Sequence, residues 1–149
     1  MSQPDKLDFA LLMRHGSSEA GSTRQARVSV DFVVNGASLL GLLAKDGADM
    51  MGCFVRGYGD LNQRAHESLL SAKPDDDCGG RTLLYTCPEC GDIGCGAFAA
   101  KIDISDGKAV WSDFAYVNGY EAPSLLPEIG PFQFNFGDYS SAIERARHI

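Results

Sequence analysis

The sequence predicts an α+β fold: a mostly antiparallel sheet with two or three helices, in a single domain over residues 1–149. Three observations carry that class. Five segments are alternating or wholly apolar in the manner of strands: Leu7–Met13, Val28–Val34, Arg81–Thr86, Phe98–Ile104 and Ala109–Tyr116. Two dipeptides, Asn35-Gly36 and Asp106-Gly107, carry the signature of tight two-residue turns. Apolar residues recur at helical spacing after Asp60 and again after Asp138. Strands and helices come first, a meander of strands follows, and one helix ends the chain.

The elements follow in order. Leu7–Met13 is a first strand, and HGSSEAGSTRQ after it reads as a mobile polar loop. Val28–Val34 starts alternating and ends wholly apolar, as a strand entering a core does. Beyond Asn35-Gly36, the spacing of Ser38 to Leu43 suits a short helix. Cys53–Val55 is a short apolar run at strand length. Asp60-Leu61-Asn62-Gln63 has the form of a capping box, and Leu61, Ala65, Leu69 and Leu70 make the buried stripe of the helix it opens. Across the Asp106-Gly107 hairpin, Ile102 faces Trp111 and Ala100 faces Asp113, so Phe98, Ile102, Ile104 and Trp111 share the core face. Phe132–Phe136 alternates aromatics with amides. Asp138 then caps a helix whose buried residues are Tyr139, Ala142, Ile143 and Ala146.

With 44% apolar and 22% charged residues, the composition is that of an ordinary globular chain. No apolar run reaches the roughly 20 residues that span a bilayer, and MSQPDKLDF lacks the form of a signal peptide. A cytoplasmic location is expected, and five cysteines in a reducing compartment argue against a disulfide framework. Thirteen basic against twenty acidic side chains give a net charge of −7. That field repels nucleic acid and anionic membranes, so neither is an expected direct partner, and it favours a basic partner or simple solubility.

Three of the five cysteines lie within Cys87-Pro88-Glu89-Cys90-Gly91-Asp92-Ile93-Gly94-Cys95. Zinc needs four ligands, and C-x2-C before Gly is half of a knuckle. The set Cys78, Cys87, Cys90 and Cys95 would complete it, with Cys53 or His66 as distant substitutes, but this spacing is not that of a zinc ribbon. Redox chemistry needs a thiol at a helix N-terminus or beside a cation, and Gly91, Gly94 and Gly96 oppose a helix here. The residues favour a structural turn, in which the glycines supply positive φ and the small thiols fill gaps. No cofactor or metal is expected. His15, His66 and His148 pair with no nucleophile, and there is no phosphate-binding loop, dinucleotide fingerprint or H-E-x-x-H. Catalytic residues are therefore not assigned.

VNGASLLGLL, TCPECGDIGCGAFAAKI, VWSDF and IGPFQFNFGDYSSAI together resemble a group of small uncharacterised bacterial proteins. These share a strand-VNG-helix, a C-x2-C-G-x2-G-C turn, V-x-W-x-D-F, and G-P-F-x-F before a last helix. The chain also resembles immunity proteins of contact-dependent growth inhibition systems in size, acidity and lack of a catalytic set. That resemblance implies a non-catalytic toxin inhibitor that binds a cognate toxin's C-terminal domain, expected to be a basic nuclease. The acids for such a contact are Asp75, Asp76, Asp77, Glu89, Asp92 and Glu121. Two other readings stay open: a small thiol- or zinc-dependent oxidoreductase-like enzyme using residues 87–95, and a small-ligand-binding domain with a pocket near Trp111.

Overall fold

The chain begins as a two-armed ribbon. The computed structural model describes residues 3–19, 22–24, 26–45, 47, 49–75, 78–89 and 93–149, with only the backbone at 17–19, 22–24 and 93. β1 (Leu7–Arg14) leads into β2 (Ser17–Glu19), and β3 (Ser22–Arg24) leads into β4 (Arg27–Val34). Leu7 lies opposite Val34, Arg14 opposite Arg27 and Ser17 opposite Arg24, so both ladders share one register. The polar segment expected as a mobile loop thus carries two strands. An extended ribbon gives its backbone groups partners that a loop would seek in solvent.

Asn35 (φ 53°) and Gly36 (φ 83°) make the expected turn from β4 into β5 (Ala37–Ser38). The short helix α1 (Leu39–Leu43) follows, with the Ser38 hydroxyl accepting from the Gly41 N–H at 3.0 Å. Asp31 of β4 secures this corner, accepting from the Ser38 hydroxyl at 2.6 Å and from the buried Tyr85 hydroxyl at 2.7 Å.

Residues 51–56 join the ribbon to the main sheet. β6 (Met51–Gly52) pairs with β7 (Thr82–Thr86), and then Val55 bridges to Ser29 of β4, flanked by bonds from Val30 N–H to Phe54 O and from Arg56 N–H to Val28 O. Only glycine fits at 52, because a Cβ there would stand 1.7 Å from the Val30 carbonyl oxygen. The main sheet runs from β6 through β7 and β8 (Ala97–Ser105) to β9 (Lys108–Val117). The far edge of β9 carries β10 (Ser124–Leu125) and β11 (Phe132–Asn135).

The β8–β9 hairpin turns at Asp106 (φ 52°) and Gly107 (φ 72°), and Ile102 faces Trp111 as the sequence predicts. The predicted Ala100–Asp113 pairing does not form. A bulge between Ala99 and Lys101 places Asp113 in the left-handed region (φ 49°) and shifts the register by one. Phe114 is thereby turned into the core while Asp113 stays exposed, 3.5 Å from Lys101 Nζ. Cys78 packs with Ala97, Ala99, Ala115 and Val117 in a small second cluster.

Two longer helices cover the sheet. α2 (Gly59–Ser71) begins two residues earlier than the capping box implies: its N-cap is Tyr58, with no side-chain cap. Asn62 is instead buried, binding the N–H and C=O of Val55 at 2.8 and 2.9 Å. α3 (Phe136–Arg147) is capped by Asn135, whose Oδ1 accepts from the Asp138 N–H, so Asp138 is the capped residue rather than the cap. Tyr139, Ala142, Ile143 and Ala146 are buried as predicted. Among the described residues no helix is long and apolar enough to cross a membrane.

Trp111 is wholly buried among edge-on contacts to Phe32, Phe134 and Tyr139, at centroid distances of 5.2, 5.4 and 6.0 Å. Its indole N–H donates to the Tyr139 hydroxyl at 3.2 Å, and that hydroxyl donates to the Leu69 carbonyl at 2.6 Å. Tyr139→Phe strands both ends of this relay in the core. We expect a loss of about 1–3 kcal/mol, seen as a Tm lowered by about 2–4 °C per kcal/mol. An unchanged Tm would show that the relay adds nothing net.

A candidate partner-binding surface and an arginine cleft

The predicted acidic residues prove to differ in what they do. Asp75 is half-buried, and its Oδ2 accepts from the Leu83 N–H at 2.8 Å, tying the loop to the start of β7. It lines a small cavity of about 170 Å³ with Cys53, Arg64 and Thr82. Glu89 lies 2.6 Å from the Arg14 guanidinium. Glu121 is exposed, on a loop held by Asn118, whose Oδ1 accepts from the N–H groups of Tyr120 and Glu121 at 3.0 Å each. Asp76, Asp77 and Asp92 lie outside the described residues.

Two of these loops are neighbours. A Cβ at Gly79 would stand 3.3 Å from Pro123 Cγ, so Gly79 lies beside the loop that carries Glu121. That second loop also carries Tyr120, 84% exposed, and leads into Leu125, 62% exposed, on the edge strand β10. The exposed acid Glu121 and the unpacked Tyr120 and Leu125 therefore share one margin of the sheet. The acids stand out in the sequence, whereas Tyr120 and Leu125 do not. Nothing local distinguishes an exposed tyrosine from a core one.

The predicted cysteine set is placed only in part, because Cys90 lies outside the described residues. Cys87 is half-buried, Cys95 is exposed at the end of a 3-10 turn (Ile93–Cys95), and Cys78 is fully buried in the second cluster. Gly96 takes the expected positive φ of 95°, while Gly94 sits inside the 3-10 turn without one. His66 is drawn to the helix interface, its Nε2 2.6 Å from Glu144 Oε2 on α3. Among the described residues no three of His, Cys, Asp and Glu come together as a metal site requires. Trp111, the platform of the ligand-pocket reading, is sealed by aromatic neighbours.

A cluster of arginines was not legible at all. Arg14 and Arg27 face each other across the ribbon. The Arg14 side chain is 7% exposed and lies 3.0 Å from Asp49 as well as 2.6 Å from Glu89. Arg27 stacks over the Tyr58 ring at 5.4 Å. Arg56 and Arg64 border the same region. Four residues scattered between positions 14 and 64 show no basic run. Arg14 and Arg27 oppose each other only through the ribbon register, which the sequence does not display.

Burial, then the nearby Asp75, pushes the Cys53 thiol up to about 12, so it stays protonated and unreactive at neutral pH. Iodoacetamide at about pH 7 should leave Cys53 unmodified in the native protein and modify it in denaturant, as read by peptide mass mapping. Native-state labelling at the rate of an exposed thiol would show that the site opens readily. Compared with known protein families, with curated proteins and with solved structures, the chain finds no match.

Proposed function

We propose that this chain is a non-catalytic, cytoplasmic immunity-type protein that binds and blocks a cognate toxin domain, a basic nuclease. One observation carries the reading. The exposed Tyr120 and Leu125 share a short segment with the exposed Glu121, and Gly79 lies beside Pro123 of that same segment. Aromatic anchors ringed by charge are the anatomy of a protein interface: the anchor supplies residence time, and the rim supplies encounter rate. A nuclease cleft must carry Lys and Arg to hold phosphate. An acidic surface is attracted to it over long range and excludes nucleic acid once seated. The net charge of −7 supports the same direction of attraction.

Not every predicted acid serves equally in this reading. Asp75 is committed to the Leu83 N–H, and Glu89 to Arg14. Steering falls to Asp76, Asp77, Asp92 and Glu121. The test is protection of cells against the toxin encoded beside this chain. Cells gaining no protection would overturn the proposal. Tyr120→Ala should weaken binding about 30-fold, the size of a 2 kcal/mol hot spot. Reversing Asp76, Asp77 and Glu121 to Lys should slow association at low salt. The defect should shrink as the Debye length falls to about 8 Å, since rim charges act mainly on the on-rate.

A further inference from the structure

We propose that the arginine cleft at the base of the ribbon is a binding site for a small phosphate-class oxyanion, a function separate from the toxin surface. The first argument is the opposition of Arg14 and Arg27. Like charges directly across a ladder repel unless something lies between or beside them. The chain supplies acids to one of the two: Asp49 and Glu89 hold Arg14. Arg27 receives no carboxylate among the described residues. Its Nη1 donates to the Ala26 carbonyl at 2.9 Å, and its Nε is buried without a hydrogen-bond partner among the described residues. A charged donor taken from water and left unmatched is costly, and each such group in a folded chain calls for an explanation.

The second argument is convergence. The Arg27–Tyr58 stack is a wall shared by two clefts of about 340 Å³ each. Arg14 and Arg56 line the first cleft, and Arg64 and Glu89 line the second. Arg56 and Arg64 are exposed and make no ion pair among the described residues. Across the two adjoining clefts, and among the described residues, four guanidinium groups stand against two carboxylates, a positive surplus in a chain of net charge −7. α2 adds to this field, because it begins at Tyr58 with no side-chain cap, and its first-turn N–H groups carry positive partial charge. Asp60, in that first turn, lines neither cleft.

The surplus selects the ligand class. A phosphate monoester carries about −1.5 to −2 at neutral pH and offers three acceptor oxygens, which guanidinium forks engage in pairs. A carboxylate brings a single charge and leaves a cation unmatched. The probe is therefore inorganic phosphate, titrated calorimetrically and by Tm shift, with acetate at equal ionic strength as the monoanion control. We expect saturable phosphate binding, weakened at least tenfold in both Arg27→Gln and Arg64→Gln and unchanged in Arg145→Gln on α3. Arg64 is exposed, so its variant tests the site without disturbing the fold. Phosphate is also a general stabilising salt. Equal Tm gains in the wild type and both cleft variants, or an equal response to acetate, would overturn the site.

Discussion

The hydrogen-bond relay from the Trp111 indole through the Tyr139 hydroxyl to the Leu69 carbonyl fixes how the helices lie on the sheet. All three groups are buried, and a buried donor or acceptor without a partner costs about 1–3 kcal/mol. One arrangement satisfies them together, with α3 across β9 and the end of α2 against α3. Shape reinforces it, since Phe134 stacks on Tyr139 at 5.8 Å while Phe32 of β4 meets Trp111 edge-on. Once Leu69 is held, α2 is fixed along its length. Its other end is pinned by Asn62 to Val55, in the segment shared by both sheets. Tyr58 and the arginine cleft take their places from that second pin.

What the sequence discloses follows from which interactions are local. Two-residue turns are local, so Asn35-Gly36 and Asp106-Gly107 set the registers on either side, and Ile102 does face Trp111. The helical stripe of α3 is likewise written in its own spacing. A bulge is not local. Asp113 reads as a core-face residue until one extra position is inserted on β9, and that insertion also lets the Asp113 carbonyl accept from the buried Arg81 Nε at 2.7 Å. Caps fail for a related reason. Asp60 and Asp138 are good cap residues in isolation, but the helices start at Tyr58 and Asn135, which leaves Asn62 and Tyr139 buried.

Net charge is the least transferable reading. Of the twenty acidic residues, several are spent inside the fold. Asp31 serves Ser38, Leu40 and Tyr85. Asp5 binds the Gln133 N–H and Asn35, joining the start of the chain to β11. Glu144 gathers His66 and His148, and their hydrogen bonds hold its carboxyl below the usual range. A sum over the sequence treats these like free surface charges, although a partner meets only what remains. The same sum conceals the arginines, because their carboxylates lie elsewhere on the molecule.

The ribbon register is where structure and proposed chemistry meet. The pairing that sets Phe9 opposite Phe32 on the core face also sets Arg14 opposite Arg27 near the base of the extended arms. A slip of one residue would remove the arginine clash, but it would turn Val30, Phe32 and Val34 out of the core. Burial of three large side chains outweighs a like-charge pair by several kcal/mol, so the fold keeps the repulsion. Asp49 and Glu89 relieve Arg14 alone. Among the described residues the compensation stops at one member of the facing pair, and the proposed anion site draws its charge from the other. That is the arrangement by which proteins hold anions, and here it arises because the core permits no other register.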